Sequence, residues 1–451
     1  MKILGAVLAA GKGERMRIAT PKPLLPLLGR PMVGWAYEAL RASGIPDPII
    51  ITSPALRPAF AGILGRPVRT VVQPEPRGTG DAVSRLKGLV KGDCVIVVIQ
   101  ADTPLFDPAH ITALLAARAS RNALVAFATA TVEDPSGLGR VLRDPAGAVA
   151  NIVEETEASP AVKRVREINA GLYAFAAPAI FDLLAAIAPV GEKKERYLTR
   201  AVELALSRGA SVTTVTVPAD ASAGVNTLPQ AAYAQAILQA RKLAELMSQG
   251  VIVDDPASVT VEWGVEVGAG SRLRPGTCLE GATKVGTDCV LGPDAVLRDA
   301  VLGARVTVRS SYVTASRLDD GVDVGPYAHI RPGCRVRAGA EVRSHAEIVR
   351  ADLGEGVKMH HFSYVGDAVV GAGANIGAGA ITANYDGKWK LPSRIGKQAF
   401  IGSGSVLVAP ARVGDRARVG AGAVVPAGRA VKPGTTVVGV PAKPLKGGRR
   451  A

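Results

Sequence analysis

No stretch of the 451-residue chain holds the roughly 20 consecutive apolar residues that a helix needs to cross a bilayer, so a helical membrane span is excluded. Aromatic side chains make up only 4% of the residues, and no aromatic cluster interleaves with Lys and Arg to form a stacking platform for bases. That argues against a nucleic-acid partner. The four cysteines, Cys94, Cys278, Cys289 and Cys334, stand far apart, with no C-x-x-C pair and no closely spaced His. A zinc site and a dense disulfide framework are thereby disfavoured, and reduced thiols in a cytoplasmic protein are the expectation.

What is present is small and aliphatic: 48% of the chain is hydrophobic and 51 residues are Gly. Low hydrophobicity with high charge, the mark of a disordered chain, is absent. The length implies two or three domains with real cores. The net charge is +15, from 54 Lys and Arg against 39 Asp and Glu. Divided after residue 228, the excess is +6 and +9, which reads as spread along the chain and compatible with anionic small substrates such as nucleotides. The basic tail Lys446–Arg450 is short and expected to fray. The opening MKILGAVLAAGKGER resembles a short secretion signal, but no polar mature start follows and its Gly-rich segment has another use.

Up to residue 228 the pattern alternates strands with amphipathic helices. Strands are expected at Ile3–Ala9, Pro48–Thr52, Val68–Gln73, Cys94–Gln100 and Leu124–Val132, and helices at Val33–Ser43, Gly80–Leu89 and Pro108–Ser120. This predicts an α/β domain on a mostly parallel sheet. Pro229–Ser248, without internal Gly or Pro, predicts one long connecting helix. The expected divisions are 1–228, a linker helix at 229–250, and 251–451.

Beyond residue 250 the period becomes six. Val267, Leu273, Leu279, Val285, Leu291 and Leu297 are six apart, as are Leu318, Val324, Ile330, Val336, Val342 and Ile348. The series continues through Leu353, Met359 and Val365, then from Ile395 to Val437. Neither a helix nor a lone amphipathic strand has that period. It predicts a β-helix with one aliphatic residue per step stacked inside the coil. The period slips at 298–317 and breaks at Ile381–Arg394, where TANYDGKWKLPSR intrudes. A loop leaving a rigid solenoid is a favoured place for a site.

LAAGKGERM follows the first strand, with Gly11 and Gly13 allowing close backbone approach to a phosphate and Lys12, Arg15 and Lys22 supplying charge. It matches neither the Walker A spacing nor G-x-G-x-x-G. QADTPL places Asp102 at the end of the most hydrophobic strand, where open α/β sheets bind ligands. A single carboxylate there suits Mg²⁺ completed by substrate phosphates. A second cluster lies on the repeats: HIRPG, Glu347, HHFSYVGD, NIGAGAITANYDG and FIGSG.

Taken in order, LAAGKGERM, Pro21-Lys22-Pro23, GTG, ADTPL, GLGR, NIVEE, EINAG and GVNT resemble the sugar-1-phosphate nucleotidylyltransferases. With hexapeptide repeats attached, the chain resembles the bacterial bifunctional N-acetylglucosamine-1-phosphate uridyltransferase/glucosamine-1-phosphate acetyltransferase family. The resemblance implies a Rossmann-like nucleotidyltransferase domain followed by a left-handed parallel β-helix. It implies that Leu8, Ala9, Gly11, Gly13, Arg15 and Lys22 hold UTP, with Arg15 and Lys22 catalytic, and that Gln73, Gly78 and Thr79 read the uracil. Asp102 and Asn226 would bind Mg²⁺, and Gly139, Glu154 and Asn169 the N-acetylglucosamine moiety. On the β-helix, His361 would be the general base, oriented by Glu347. Arg331, Tyr364, Asn375 and Lys390 would grip glucosamine 1-phosphate. Asn384, Tyr385, Ser403 and Ala421 would meet acetyl-CoA, with the Ser403 N–H stabilising the oxyanion. A homotrimer through the β-helix is also implied.

Two positions depart from the family pattern. Gln100-Ala101 replaces an aromatic-Gly pair, and Val349 stands where a lysine is usual. These leave open a nucleotidylyltransferase of other sugar or base specificity, whose β-helix is structural or differently specific. A non-catalytic trimeric scaffold would leave Asp102, Asn226 and the phosphate loop without a role.

Overall fold

The computed structural model describes residues 2–11, 16–190 and 194–444. The chain divides into two compact units, Met1–Leu238 and Gln239–Ala451. The division falls inside the helix Leu228–Ser248.

The first unit is built on one sheet. Its strands are β1 (Lys2–Ala9), β2 (Ile49–Thr52), β3 (Arg69–Val72), β4 (Cys94–Gln100), β5 (Val125–Thr131), β6 (Arg140–Arg143), β7 (Val149–Val153), β8 (Glu167–Ala177) and β9 (Val212–Thr216). The main path runs β9-β5-β8-β4-β1-β2-β3, with the β6–β7 hairpin leaving from β8. All neighbours on that path are parallel except β8, which is antiparallel to both β4 and β5. Strand β4 shows why the apolar run CVIVVI makes a central strand. Cys94, Ile96 and Val98 join one buried layer, while Val95, Val97 and Ile99 join the other. Period-two alternation thus sends a continuous run into two cores, and each buried aliphatic side chain contributes about 1.5–3 kcal/mol. The expected helix at Gly80–Leu89 is instead a short α-helix, Thr79–Ser84, followed by a 3₁₀ turn, Lys87–Leu89.

The second unit is a parallel β-helix. Each strand pairs with the third one after it in sequence, giving three sheets of 12, 10 and 10 strands; the last strand of the first sheet, Lys443–Pro444, instead pairs antiparallel with Thr436–Val438. In one sheet the inward ladder runs Leu291, Val308, Val324, Val342, Met359, Ile376, Ile401, Val419 and Val437, each beside the next. The slips in the six-residue period have a cause. Where the step shortens to five, as at Ile348–Leu353 and Val365–Val370, the second residue after the first aliphatic takes a left-handed conformation: Arg350 at φ 45° and Asp367 at φ 48°. The corner tightens by one residue and the inward stack survives. All four cysteines are free. Burial pushes their thiols up, Cys278 to about 11, which leaves none as a ready nucleophile.

Candidate active sites

The sheet order reverses between β1, which leads outward to β2 and β3, and β4, which leads the other way. Such a switch point opens a crevice at the carboxyl ends of the two strands. There lies a cleft of about 260 Å³, lined by Leu8, Ala9, Gly11, Lys22, Gln73, Gly78, Thr79 and Asp102 among others. Eight of the residues expected from the sequence to serve the nucleotide and metal therefore share one cavity. Gly13 and Arg15 lie outside the described residues.

Local sequence explains the placement. Asp102 follows β4, whose end is tied to β1 by the Ala101 N–H donating to Leu8 O at 3.0 Å. The GVNT loop docks on the same point through the Val225 N–H to Asp102 O at 2.8 Å. Thr227 and Gln230 then form a capping pair. The Gln230 side chain accepts from Asn226 N at 2.8 Å and Thr227 N at 3.1 Å, and Thr227 Oγ1 accepts from Gln230 N at 3.4 Å. Lys22 sits in a 3₁₀ turn flanked by Pro21 and Pro23. Its ammonium lies 2.5 Å from Asp102 Oδ2 and 2.8 Å from Asn226 Oδ1. A cation already occupies the space between two hard oxygen donors.

Around this point the turn Gly78-Thr79 is fixed by the segment 195–198. The Arg196 N–H donates to Arg77 O at 2.8 Å, and the Leu198 N–H to Thr79 Oγ1 at 3.0 Å. Gly78 has φ 89°, and a Cβ there would stand 2.6 Å from Arg196 O, so only glycine fits. Gln73 donates to Asp81 Oδ2 at 2.8 Å and Gly78 O at 3.0 Å, holding that turn from the other side. Glu195 and Tyr197 also line the cleft. Sequence reasoning missed both, because nothing in GEKKERYLTR marks it as part of a site.

Gly139, Glu154 and Asn169 converge. The Asn169 N–H donates to Gly139 O at 2.9 Å, and Glu154 Oε1 accepts from Thr199 Oγ1 at 2.7 Å. Asn169 Nδ2 donates to the phenol of buried Tyr173 at 2.6 Å. Next to two of these residues runs an ion pair, from Arg140 Nη2 to Glu155 Oε2 at 2.6 Å. Arg140 is 1% exposed and also donates to Leu138 O. Its hydrogen bond holds the Glu155 carboxyl below its ordinary value.

On the β-helix, register sets the second cluster. Met359, Ile376, Ile401 and Val419 are successive partners, so the residues two places on, His361, Ala378, Ser403 and Ala421, occupy one turn position in four successive coils. Among the described residues, the Ser403 N–H donates to no group. His361 is exposed at this corner. The strand before the corner is followed one coil on by Asn375, and the strand after it holds Tyr364, beside Glu347 in the previous coil.

Among the described residues no hydrogen bond links Glu347 to His361. The Glu347 carboxylate accepts from Arg331 at 2.9 Å, and strand pairing places it between His329 and Tyr364. The carboxylate that does meet an imidazole at this corner is Glu341, 2.9 Å from Nε2 of His360. The rings of His360 and His361 stand edge to face, 6.4 Å apart.

The intruding loop is folded on itself. Asp386 Oδ1 accepts from Lys388 N at 2.8 Å and Trp389 N at 2.6 Å, Tyr385 OH donates to Gly387 O at 2.6 Å, and Leu391 N donates to Asn384 O at 2.8 Å. Asn384 turns inward and donates to Asp367 Oδ2 at 2.5 Å, with its amide 3.5 Å from Tyr364 OH. Asp367 is also gripped by Arg350 through two bonds of 2.6 and 2.7 Å, which lower its pKa; Lys390 contributes in the same direction. Arg350 is thus spoken for, and Val349 is buried.

Comparison with known proteins finds relatives of both units. The MobA-like NTP transferase domain model matches residues 5–204, and the bacterial transferase hexapeptide (six repeats) model matches residues 392–427. The bifunctional protein GlmU of Anaeromyxobacter dehalogenans is 39% identical over 90% of this chain and 84% of its own. That of Thermus thermophilus is 41% identical over 90% and 89%, and that of Pelotomaculum thermopropionicum 40% over 91% and 90%.

Proposed function

The chain belongs to the family of bifunctional GlmU proteins, and we propose that it makes UDP-N-acetylglucosamine in two steps. It is an acetyltransferase and a uridylyltransferase, with a Rossmann-like nucleotidyltransferase domain and a left-handed β-helix of hexapeptide repeats. The observation that carries the reading is the Lys22 ammonium held between Asp102 and Asn226 at the sheet's switch point. In the uridylyl reaction a phosphate oxygen of N-acetylglucosamine 1-phosphate attacks the α-phosphorus of UTP, and pyrophosphate leaves. The nucleophile is already ionised, so the residues align groups and neutralise charge.

Nucleotidyltransferases of this kind use a divalent metal. Two hard oxygen donors around a space already favourable to a cation fit Mg²⁺, which keeps waters and takes its remaining ligands from phosphates. Asp102 and Asn226 would hold it, and it would supply charge to the phosphates. Lys22, Arg15 and the backbone at Gly11 and Gly13 bind the triphosphate, Gln73, Gly78 and Thr79 the uracil, and Gly139, Glu154 and Asn169 the sugar. Residues 1–228 and 251–451 carry the two reactions, joined by the helical linker.

In the acetyl reaction His361 takes the proton from the amine of glucosamine 1-phosphate as nitrogen attacks the thioester carbonyl; the carbon–sulfur bond breaks and coenzyme A leaves as its thiol. The unpaired Ser403 N–H, at the same turn position as His361, suits a developing oxyanion. Arg331, Tyr364, Asn375 and Lys390 take the sugar phosphate, and Asn384, Tyr385 and Ala421 the coenzyme. The corner that holds His361 is exposed in one chain, and in the homotrimer proposed through the β-helix, placed in the cytoplasm, a neighbouring copy would complete the acetyl site there.

The test follows free thiol and pyrophosphate separately in one mixture of Mg²⁺, acetyl-CoA, UTP and glucosamine 1-phosphate. Asp102→Ala is expected to abolish pyrophosphate release and spare thiol release. His361→Ala is expected to cut thiol release about 10²–10⁴-fold and leave pyrophosphate release intact when N-acetylglucosamine 1-phosphate is supplied. Loss of both activities in either variant would contradict two separable sites.

A further inference from the structure

Split by halves, the net charge looks even; along the β-helix it is not. Residues 387–451 hold thirteen Lys and Arg against a single acid, Asp415, and so carry twelve of the fifteen net positive charges. In the preceding coils every arginine but Arg274 is matched to an acid among the described residues. Asp319 meets Arg317 at 2.8 Å and Arg335 at 3.1 Å, Asp352 meets Arg337 at 2.7 Å, and Asp367 meets Arg350 at 2.6 Å. The same sheet continues through Val369 to Arg394 and Arg412, which are neighbours in register, and there the acids stop.

Arg394 and Arg412 lie along this sheet, Arg429 just before its next strand, Ala430–Val431, and Lys397, Arg416 and Lys432 along the corner that follows. All six are exposed, and among the described residues none is in an ion pair. The one acid here, Asp415, accepts the backbone N–H of Lys397 at 2.8 Å and forms no ion pair among the described residues, so a single negative charge stands against the six cations.

Packing does not require this. Outward positions of a coil accept any polar residue, whereas Arg394 and Arg412 stack like charges at the strand spacing of about 4.8 Å. We propose that this face is a docking surface for an anionic lipid bilayer, bound electrostatically and reversibly without a membrane span. A flat sheet face and a convex corner present their cations to a plane. A single nucleic-acid strand needs a groove with stacking rings, and the rings of Phe400 and Trp389 are already covered by Arg418 at 5.6 Å and Lys388 at 5.7 Å. Each basic side chain near an anionic leaflet contributes favourably, within a Debye length of the surface.

The test is co-sedimentation of the full-length protein with phosphatidylcholine vesicles, either pure or containing about 30 mol% phosphatidylglycerol. Binding only to the anionic vesicles is expected, strong at about 50 mM salt and lost at about 500 mM. The triple variant Arg412→Glu, Arg429→Glu, Lys432→Glu should bind at least about tenfold more weakly, with pyrophosphate release unchanged. The Gln versions of the same three changes, gentler on folding, should fall between it and the parent. Equal binding to neutral vesicles, no binding at low salt, or undiminished binding by both variants would overturn the proposal. Tighter binding of an oligonucleotide than of anionic vesicles at the same salt would assign the ridge to nucleic acid instead. A raised KM for acetyl-CoA with unaltered vesicle binding would assign it to the coenzyme's phosphates.

Discussion

Asp367 shows how one side chain can join a loop to a coil. Its two oxygens receive Arg350 from the coil before and Asn384 from the base of the intruding loop. Those bonds hold the carboxyl below its ordinary value of 3.8, with Arg350 the largest cause and burial opposing it. A depressed carboxylate contributes stability that is present above the unfolded value and lost as pH falls through the folded one. Asp367→Asn is therefore expected to destabilise the β-helix by about 1 kcal/mol at neutral pH, since the pair is partly screened. The gap to the parent should close as the pH drops below 3.8, measured by denaturant unfolding across pH. A gap that persists undiminished in acid would show that shape, not charge, is what Asp367 supplies. At this scale some of the site was legible in the sequence and some was not. Asp102, Lys22 and Asn226 carry chemistry in their type and sit in turns that Pro and Gly announce. The Glu347–Arg331 and Glu341–His360 pairs depend on which residue lies one coil away, and the steps of five and six residues decide that.

Elements divide in the same way. Strand β4 was readable because an unbroken β-branched run bounded by turn residues has few alternatives. Strand β8 was not, because EINAGLYAFAA is rich in Ala and broken by Gly171 at φ 83°, where the register shifts between Asn169 and Tyr173. Its pairing comes from flanking β4 and β5, not from local propensity. The β-helix is the opposite case: each strand is two or three residues long, too short to predict alone, yet the repeat fixes all of them together. Stacking makes neighbouring coils depend on each other. Ile348, fully buried between Ile330 and Val365, tests this. Ile348→Ala is expected to cost about 2–5 kcal/mol in the unfolding of the β-helix. Thiol release should fall at lower temperature than in the parent, while pyrophosphate release keeps its own profile. Parallel losses of both activities on heating would mean that the coil defect is not local.

At the scale of the whole chain, the hydrophobic clusters decide how the two activities are coupled. The cluster of the β-helix begins at Leu243, and the two clusters flanking the first unit's sheet end at Ala205 and Ala221. Among the described residues no buried residue belongs to both, so each unit has its own driving force for folding. Ligands that bind only folded protein then stabilise the unit they occupy, by RT ln(1 + [L]/Kd), about 2.7 kcal/mol at a hundredfold excess over Kd. UTP with Mg²⁺ should raise the unfolding temperature of the first unit alone, and acetyl-CoA that of the β-helix alone. Calorimetry of the full chain, with Asp367→Asn marking the β-helix transition, can assign the two. Because the marker acts only on the second unit, a shift of both transitions by either ligand would reveal an energetic link that the separate cores do not supply, and the two reactions would then have to be treated as one coupled machine.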